Sequence, residues 1–214
     1  MHHGDVTSTN DVSAPASTRS PGRPLSPELS EQLVSVAVDI LADEGWGRLN
    51  SDRVAARARA GKAGIYRRWP TMAALARHAV TGFALVRLPE DTGSLRGDLV
   101  ALLTPWTRPL DREERAAASL VGAARHDADL RAGLETAVVE PLAAVLRELA
   151  DRSTARGQAV PDHRLSLLST LVQALWWERY TAFAVPLSER EVEELVDEVL
   201  LPVVDPSAAV GLSV

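Results

Sequence analysis

The chain has 214 residues, 46% hydrophobic and 24% charged, the balance of an ordinary globular protein. It has no cysteine, which excludes disulfides, thiolate metal sites, iron–sulfur clusters and a cysteine nucleophile. Its 23 basic and 29 acidic residues give a formal net charge of -6, no apolar run approaches the roughly 20 residues of a membrane span, and no secretion signal opens the chain, so a soluble, cytoplasmic protein is expected.

Residues 1–24 are rich in Ser, Thr, Pro and Gly and poor in large apolar groups, so a disordered arm is expected there. Helical patterning then begins. Ser26 is a cap residue with Pro27 at the first helical position, and Leu33, Val36, Ala37, Ile40 and Leu41 repeat at the spacing of one buried face. Gly45 closes that helix. Asn50 and Ser51 introduce a short helix over about 52–58, Gly61 marks a turn, and a second short helix is expected over about 62–69, ended by Pro70. Thr71 caps a helix expected to reach about Val86.

Further helices are expected over about 94–106, 111–125 and 128–156, with an Asp111/Glu114 capping box before the second. Pro141 lies well inside the third, where a kink or break is expected. A helix over about 162–183 follows, and a Ser188/Glu191 capping box opens the last, whose stripe is Val192, Leu195, Val196, Val199 and Leu200. No strand pattern with a period of two residues stands out. The expected fold is all-α with about nine helices.

Charge is unevenly distributed. From Gly45 to Val80 there are eight basic residues (Arg48, Arg53, Arg57, Arg59, Lys62, Arg67, Arg68 and Arg77) and one acid, Asp52, a balance of +7. From Pro186 to Asp205 seven acids oppose Arg190, a balance of -6. A basic end on an acidic body suits a protein that docks on a phosphate backbone at one end. In the second short helix Ile65 and Trp69 share a face directed at the core, leaving Lys62, Ala63, Tyr66 and Arg67 toward solvent or a partner. Gly64 costs roughly 1 kcal/mol of helix propensity relative to alanine, which suggests a close backbone approach, as in a major groove.

Residues 33–75 resemble the N-terminal DNA-binding domain of TetR-type transcriptional regulators. The resemblance rests on Ala37, Ile40-Leu41, Gly45-Trp46, Leu49-Asn50, Val54-Ala55, Ala58, Lys62, Ile65-Tyr66, Trp69 and Leu75, in the family's order and spacing. It implies a helix-turn-helix domain over 25–70, a ligand-binding and dimerisation domain over 71–205, and a tail over 206–214. It implies a homodimeric regulator, a repressor that binds a palindromic double-stranded DNA operator and is released by a small-molecule effector. Residues expected at the DNA are Asn50, Ser51, Arg53, Arg59, Gly61, Lys62, Ala63, Gly64, Tyr66, Arg67 and Arg68. Phe83, Leu103, Trp106, Trp176, Trp177 and Tyr180 are the candidate wall of the effector pocket. Leu168, Leu171, Val172 and Leu175, with the last helix, are the candidate dimer surface.

Three departures from the family pattern bear on the operator and its affinity. Arg59-Ala60-Gly61 stands where the family usually has Gly-Val-Ser, Gly64 where it has a hydroxyl residue, and Met72 where it has lysine. Arg53, Arg57 and Arg59 are the candidates to compensate. The alternative reading is a helical ligand-binding dimer whose sequence-specific DNA binding has weakened. An enzyme is not expected: there is no nucleophile elbow, P-loop or zinc-protease motif, and the internal histidines His78, His126 and His163 lie far apart, so no cofactor or metal is assigned.

Overall fold

The computed structural model describes residues 26–181 and 185–204. The expectations for the arm over 1–24, for Phe183, and for Asp205 and the tail lie outside that range. Among the described residues the chain is all-helical and has nine helices, counting a helix with an internal turn once.

Helix α1 is Pro27–Glu44. Ser26 caps it by accepting from the Leu29 amide at 3.3 Å, and Gly45, at φ 83°, ends it by donating back to Ile40 and Leu41. Helices α2 (Ser51–Ala58) and α3 (Lys62–Tyr66) fold beneath it. Helix α4 is Met72–Val80 and stops well short of Val86. Thr81 and Gly82 turn the chain there, and residues 83–94 run as an irregular connection. Arg152 and Arg156 hold that connection from below: Arg152 donates to the Pro89 carbonyl at 3.0 Å, and Arg156 pairs with Asp91 at 2.7 Å.

Helix α5 is Leu95–Leu103 and tightens into a 3-10 turn, Thr104–Thr107, where Pro105 has no amide hydrogen to donate. Helix α6 comprises Arg112–Ala118 and, after a turn, Val121–Ala124. Helix α7 spans residues 128–155 as Ala128–Leu134, a π-helical segment Glu135–Val139, and Glu140–Ala155. The break expected at Pro141 is therefore a π bulge just before it. Widening the turn accommodates the missing proline donor while the helix continues. Helix α8 is Asp162–Thr181, and α9 spans 189–204 with its own π segment, Val196–Leu200.

The core is continuous from head to body. Leu33, Ala37, Ile40 and Leu41 of α1 are buried together with Ile65, Trp69, Leu75, Leu99, Leu103, Leu130 and Leu146. Helix α6 packs along α1, and the start of α7 packs along α4. Helix α8 is apolar around most of its circumference. Leu165, Leu168, Val172 and Trp176 face inward, while Leu167 is 53% exposed and Leu171 and Leu175 are half-buried. Leu168 and Val172, expected to offer dimer surface, are instead buried in the subunit's own core, and Leu167 is the exposed leucine of the outward flank.

Candidate nucleic-acid interface and effector cavities

The head is built by caps and one tight turn. The Asn50 side chain accepts from the Arg53 amide at 3.0 Å and starts α2. Arg59, at φ 50° and ψ 41°, ends it in the left-handed region. The glycine of this turn, Gly61, lies at φ -83°, an extended conformation open to any residue. The conformation that favours glycine has fallen to an arginine, at a cost of order 1–2 kcal/mol.

Helix α3 is anchored by Ile65 and Trp69, both buried, with Trp69 tilted against His78 at 5.5 Å between ring centroids. Lys62, Ala63, Tyr66 and Arg67 are exposed. Tyr66 is 49% exposed and its hydroxyl donates to Ser51 Oγ at 3.1 Å, joining α3 to the first turn of α2. Lys62 pairs with Asp52, whose hydrogen bond and charge raise the lysine's pKa. Gly64 has room for a methyl group, because an added Cβ would meet nothing nearer than the Arg68 guanidinium at 3.8 Å. No intramolecular crowding requires a glycine there.

The arginines divide into two sets. Arg53 and Arg57 both bond to Glu44, the last residue of α1. Arg68 folds back on the head: it donates to Ser30 Oγ at 2.7 Å, to the Gly64 carbonyl at 2.9 Å and to the Ser26 carbonyl at 3.1 Å. Arg59 and Arg67 are exposed and form no ion pair among the described residues. Of the three arginines expected to compensate for the family's missing contacts, only Arg59 is free of an acidic partner. Glu44 sits one residue before the basic stretch, so a count that starts at Gly45 misses the group that neutralises two of its members.

The body joins the head through α6. Arg112 donates to Asp39 Oδ1 at 2.7 Å and to the Ser35 carbonyl at 2.9 Å, and Arg115 reaches Asp43 at 3.3 Å. On the same turn of α6, buried Glu114 accepts from the Asp111 amide at 2.8 Å and pairs with Arg108 and, at 3.7 Å, with buried Arg179. The Arg179 fork is satisfied mainly by the carbonyls of Pro105, Trp106 and Arg108 at 3.2–3.4 Å. Burial holds its pKa below the usual arginine value, and burial likewise raises the pKa of neighbouring Tyr180. The sequence marks Glu114 only as the second member of a capping box and does not single out Arg179. Both occupy positions that a helical pattern assigns to the core or a cap.

Two cavities flank α8. One, of about 380 Å³, lies between the 84–89 connection, α5 and the start of α6, with Trp176, Leu102, Pro105, Arg108 and Glu114 in its wall. The other, of about 420 Å³, lies between the end of α6, the start of α7 and α8, with Trp177 and Gln173 in its wall.

Comparison with known proteins gives this geometry its context. Residues 33–79 match the family model described as bacterial regulatory proteins, tetR family, and residues 89–199 match the model described as the tetracyclin repressor-like C-terminal domain. The chain belongs to the TetR family. A DNA-binding transcriptional repressor TetR of Mycobacteroides abscessus is 31% identical over 182 residues, which is 84% of this chain and 95% of that protein. The crystal structure of the TetR family transcription regulator SCO0332 superposes with a TM-score of 0.56 at 27% identity, covering 81% of this chain and 97% of that one. The multidrug binding protein EbrR, solved with ethidium, shares the fold with a TM-score of 0.57 at 19% identity, covering 80% of this chain and 98% of that one. TetR family members are ligand-responsive, DNA-binding transcriptional regulators, and no described helix of this member is long and apolar enough to cross a membrane.

Within this TetR-family body the six aromatic and apolar residues expected to share one pocket wall are separated. Trp176 lines the first cavity and Trp177 the second, because successive residues of α8 point about 100° apart. Trp106 packs edge-on to Trp176 at 5.4 Å, and Trp177 edge-on to Tyr180 at 6.1 Å. Leu103, Trp106 and Tyr180 are buried, and Phe83 is half-buried against the core. The indole nitrogens of Trp106 and Trp176 and the Tyr180 hydroxyl are buried without hydrogen-bond partners among the described residues.

Proposed function

We propose that the protein is a homodimeric repressor that reads a palindromic operator with α3 and is released by a small molecule bound in the body, residues 71–205. The observation that carries this reading is the division of labour in α3. Ile65 and Trp69 fix the helix to the core, while Lys62, Ala63, Tyr66 and Arg67 stand clear of it. A helix held from behind with a basic, aromatic outer face suits the major groove. Asn50, Arg59 and Gly61 flank it at the phosphate backbone, with the Gly64 backbone in reach of the groove, whereas Ser51 is buried beneath the Tyr66 hydroxyl and Arg53 is held by Glu44. Arg68, committed to Ser30, Ser26 and Gly64, positions the helix instead of reading DNA. Such a regulator works in the cytoplasm, where operators are.

Two heads must reach half-sites about 34 Å apart or a multiple of it, which calls for a two-fold axis. The outward flank of α8, with Leu167, Leu171 and Leu175, and Val199 of α9, 39% exposed, supply the apolar surface for it. The effector enters the cavity beside Trp176. Glu114 in its wall shares a helical turn with Arg112 and Arg115, so displacing that turn moves α1 and the spacing of the heads. A gel-shift titration against the gene's own upstream region tests the reading. Tight binding with steep salt dependence is expected, and Lys62→Ala and Tyr66→Ala weaken it without unfolding the chain. Weak, sequence-indifferent binding selects the alternative, a ligand-binding dimer with lost operator specificity.

A further inference from the structure

We infer that the cavity beside Trp177 is a second ligand site, selective for a small planar acid, and that its occupation is felt by the DNA-reading head through the start of α7. At about 420 Å³ it fits a small molecule and no macromolecular segment of useful length. Its walls are apolar where Val121, Leu134 and Val139 meet Trp177. Its charge comes from Arg125 and Arg131, with Glu135 the single acid of the described lining. Most arginines of the body have a carboxylate partner, among them Arg96, Arg108, Arg112, Arg156 and Arg190. Arg125 and Arg131 form no ion pair among the described residues, and both are exposed beside the same apolar hollow. A flat apolar body suits the walls, and a carboxylate gives the two guanidinium forks the partner they lack. A planar cation meets two like charges instead.

The site is placed so that dimerisation leaves it open. Gln173 and Trp177 lie roughly 120–160° around α8 from Leu171 and Leu175, the flank assigned above to the two-fold interface. It also sits where movement has a mechanical consequence. Glu135 and Val139, the two ends of the π segment, both line it. A π turn is a wider, poorer helical turn that recurs at functional sites. Immediately before the segment, Gly133 presses on α4: a Cβ there would fall 2.8 Å from Val80 Cγ2 and 3.2 Å from Arg77 Cα. The Arg77–Asp129 pair, at 3.2 Å, closes the same contact. With no slack between them, a ligand that shifts residues 131–135 shifts α4 as well, and α4 follows α3 after one short turn.

The binding half of this inference stands apart from the operator reading, and the coupling half rests on it. Calorimetry on the full chain with 2-naphthoate, its neutral counterpart 2-naphthamide and the planar cation ethidium separates the two halves. Saturable binding of the acid is expected, roughly tenfold or more tighter than the amide. The double variant Arg125→Gln/Arg131→Gln, both at exposed positions, keeps the thermal midpoint and loses the preference for the acid. No binding of naphthoate, equal affinity for acid and amide, tighter binding of ethidium, or an unchanged preference in the double variant each overturns the site. In gel shifts, naphthoate changes operator affinity for the wild type and not for the double variant. Acid-selective binding that leaves operator affinity unmoved overturns the coupling. A chain that binds no operator in the absence of ligand fails the operator reading instead, and the calorimetry still decides the site.

Discussion

The Tyr66 hydroxyl donates to Ser51 Oγ across 3.1 Å, so the exposed aromatic of α3 is held at a fixed angle to the first turn of α2. The ring is half in solvent, so the bond is worth little to folding, within about 1 kcal/mol. Its value is pre-organisation of a side chain proposed to meet DNA. Tyr66→Phe is expected to keep the fold and lose a modest part of operator affinity, whereas Tyr66→Ala loses roughly tenfold or more at an unchanged melting temperature. Paired gel-shift and thermal-melt measurements check this.

Trp69 belongs to the other side of the helix. Its ring is buried against His78 and the α1–α4 core. Trp69→Ala should cost about 3–5 kcal/mol in urea unfolding, because it removes a large apolar side chain and leaves a cavity. A near-neutral result would place the ring at the surface.

Arg59 holds a left-handed backbone, and its exposed side chain makes no hydrogen bond or ion pair among the described residues to offset the strain. Arg59→Gly should therefore stabilise the chain by roughly 0.5–1 kcal/mol while weakening DNA binding through the lost charge. Opposite signs in the two assays are the signature; a loss in both would mean that the arginine side chain also supports the turn.

Glu44 pairs with both Arg53 and Arg57 and neutralises part of their charge, although their side chains stay 39% and 46% exposed. Glu44→Gln should free both for phosphate. The slope of log K against log salt then steepens by up to about 1.8, with stability changed by no more than about 1 kcal/mol. An unchanged slope would mean that neither arginine faces the duplex.

Asp98 makes the stability of the fold depend on pH. Burial raises its pKa, but hydrogen bonds from Thr92 and Arg156 and the Arg156 charge outweigh burial, and the net pKa lies below the ordinary 3.8. A depressed folded value stabilises the native state above pH 3.8, and that contribution disappears as pH falls through the lower, folded value. Asp98→Asn should cost roughly 1.5–3 kcal/mol near neutral pH and flatten the acid limb of the stability curve. An acid limb as steep as the wild type's would show that another carboxylate sets it.

Much of the architecture is legible in the sequence. The caps Ser26, Asn50, Thr71, Asp111 and Ser188 stand where their residue types place them, because a cap is a local interaction with the next three residues. The end of α4 does not follow from the pattern: Phe83, Ala84, Leu85 and Val86 are apolar, but Thr81 and Gly82 turn the chain and residues 83–94 run irregularly. Pro141 signalled an irregularity, but its form, a π bulge before the proline, depends on packing that spacing does not reveal. At the head, the outward residues of α3 follow from the position of Ile65 and Trp69. The diversion of Arg53, Arg57 and Arg68 into intramolecular bonds does not, because Glu44, Ser26 and Ser30 come from another helix. In the body, adjacent tryptophans read as one aromatic wall, although a helix must send them to different cavities.

The most direct test is the equilibrium binding of the full chain to its upstream DNA across a salt series, with Lys62→Ala/Tyr66→Ala run beside the wild type. A steep salt slope and a large specific-over-random preference are predicted, with both reduced in the double variant while its melting curve stays put. Indistinguishable curves for the two proteins, or equal affinity for the upstream site and random duplex, would contradict the account.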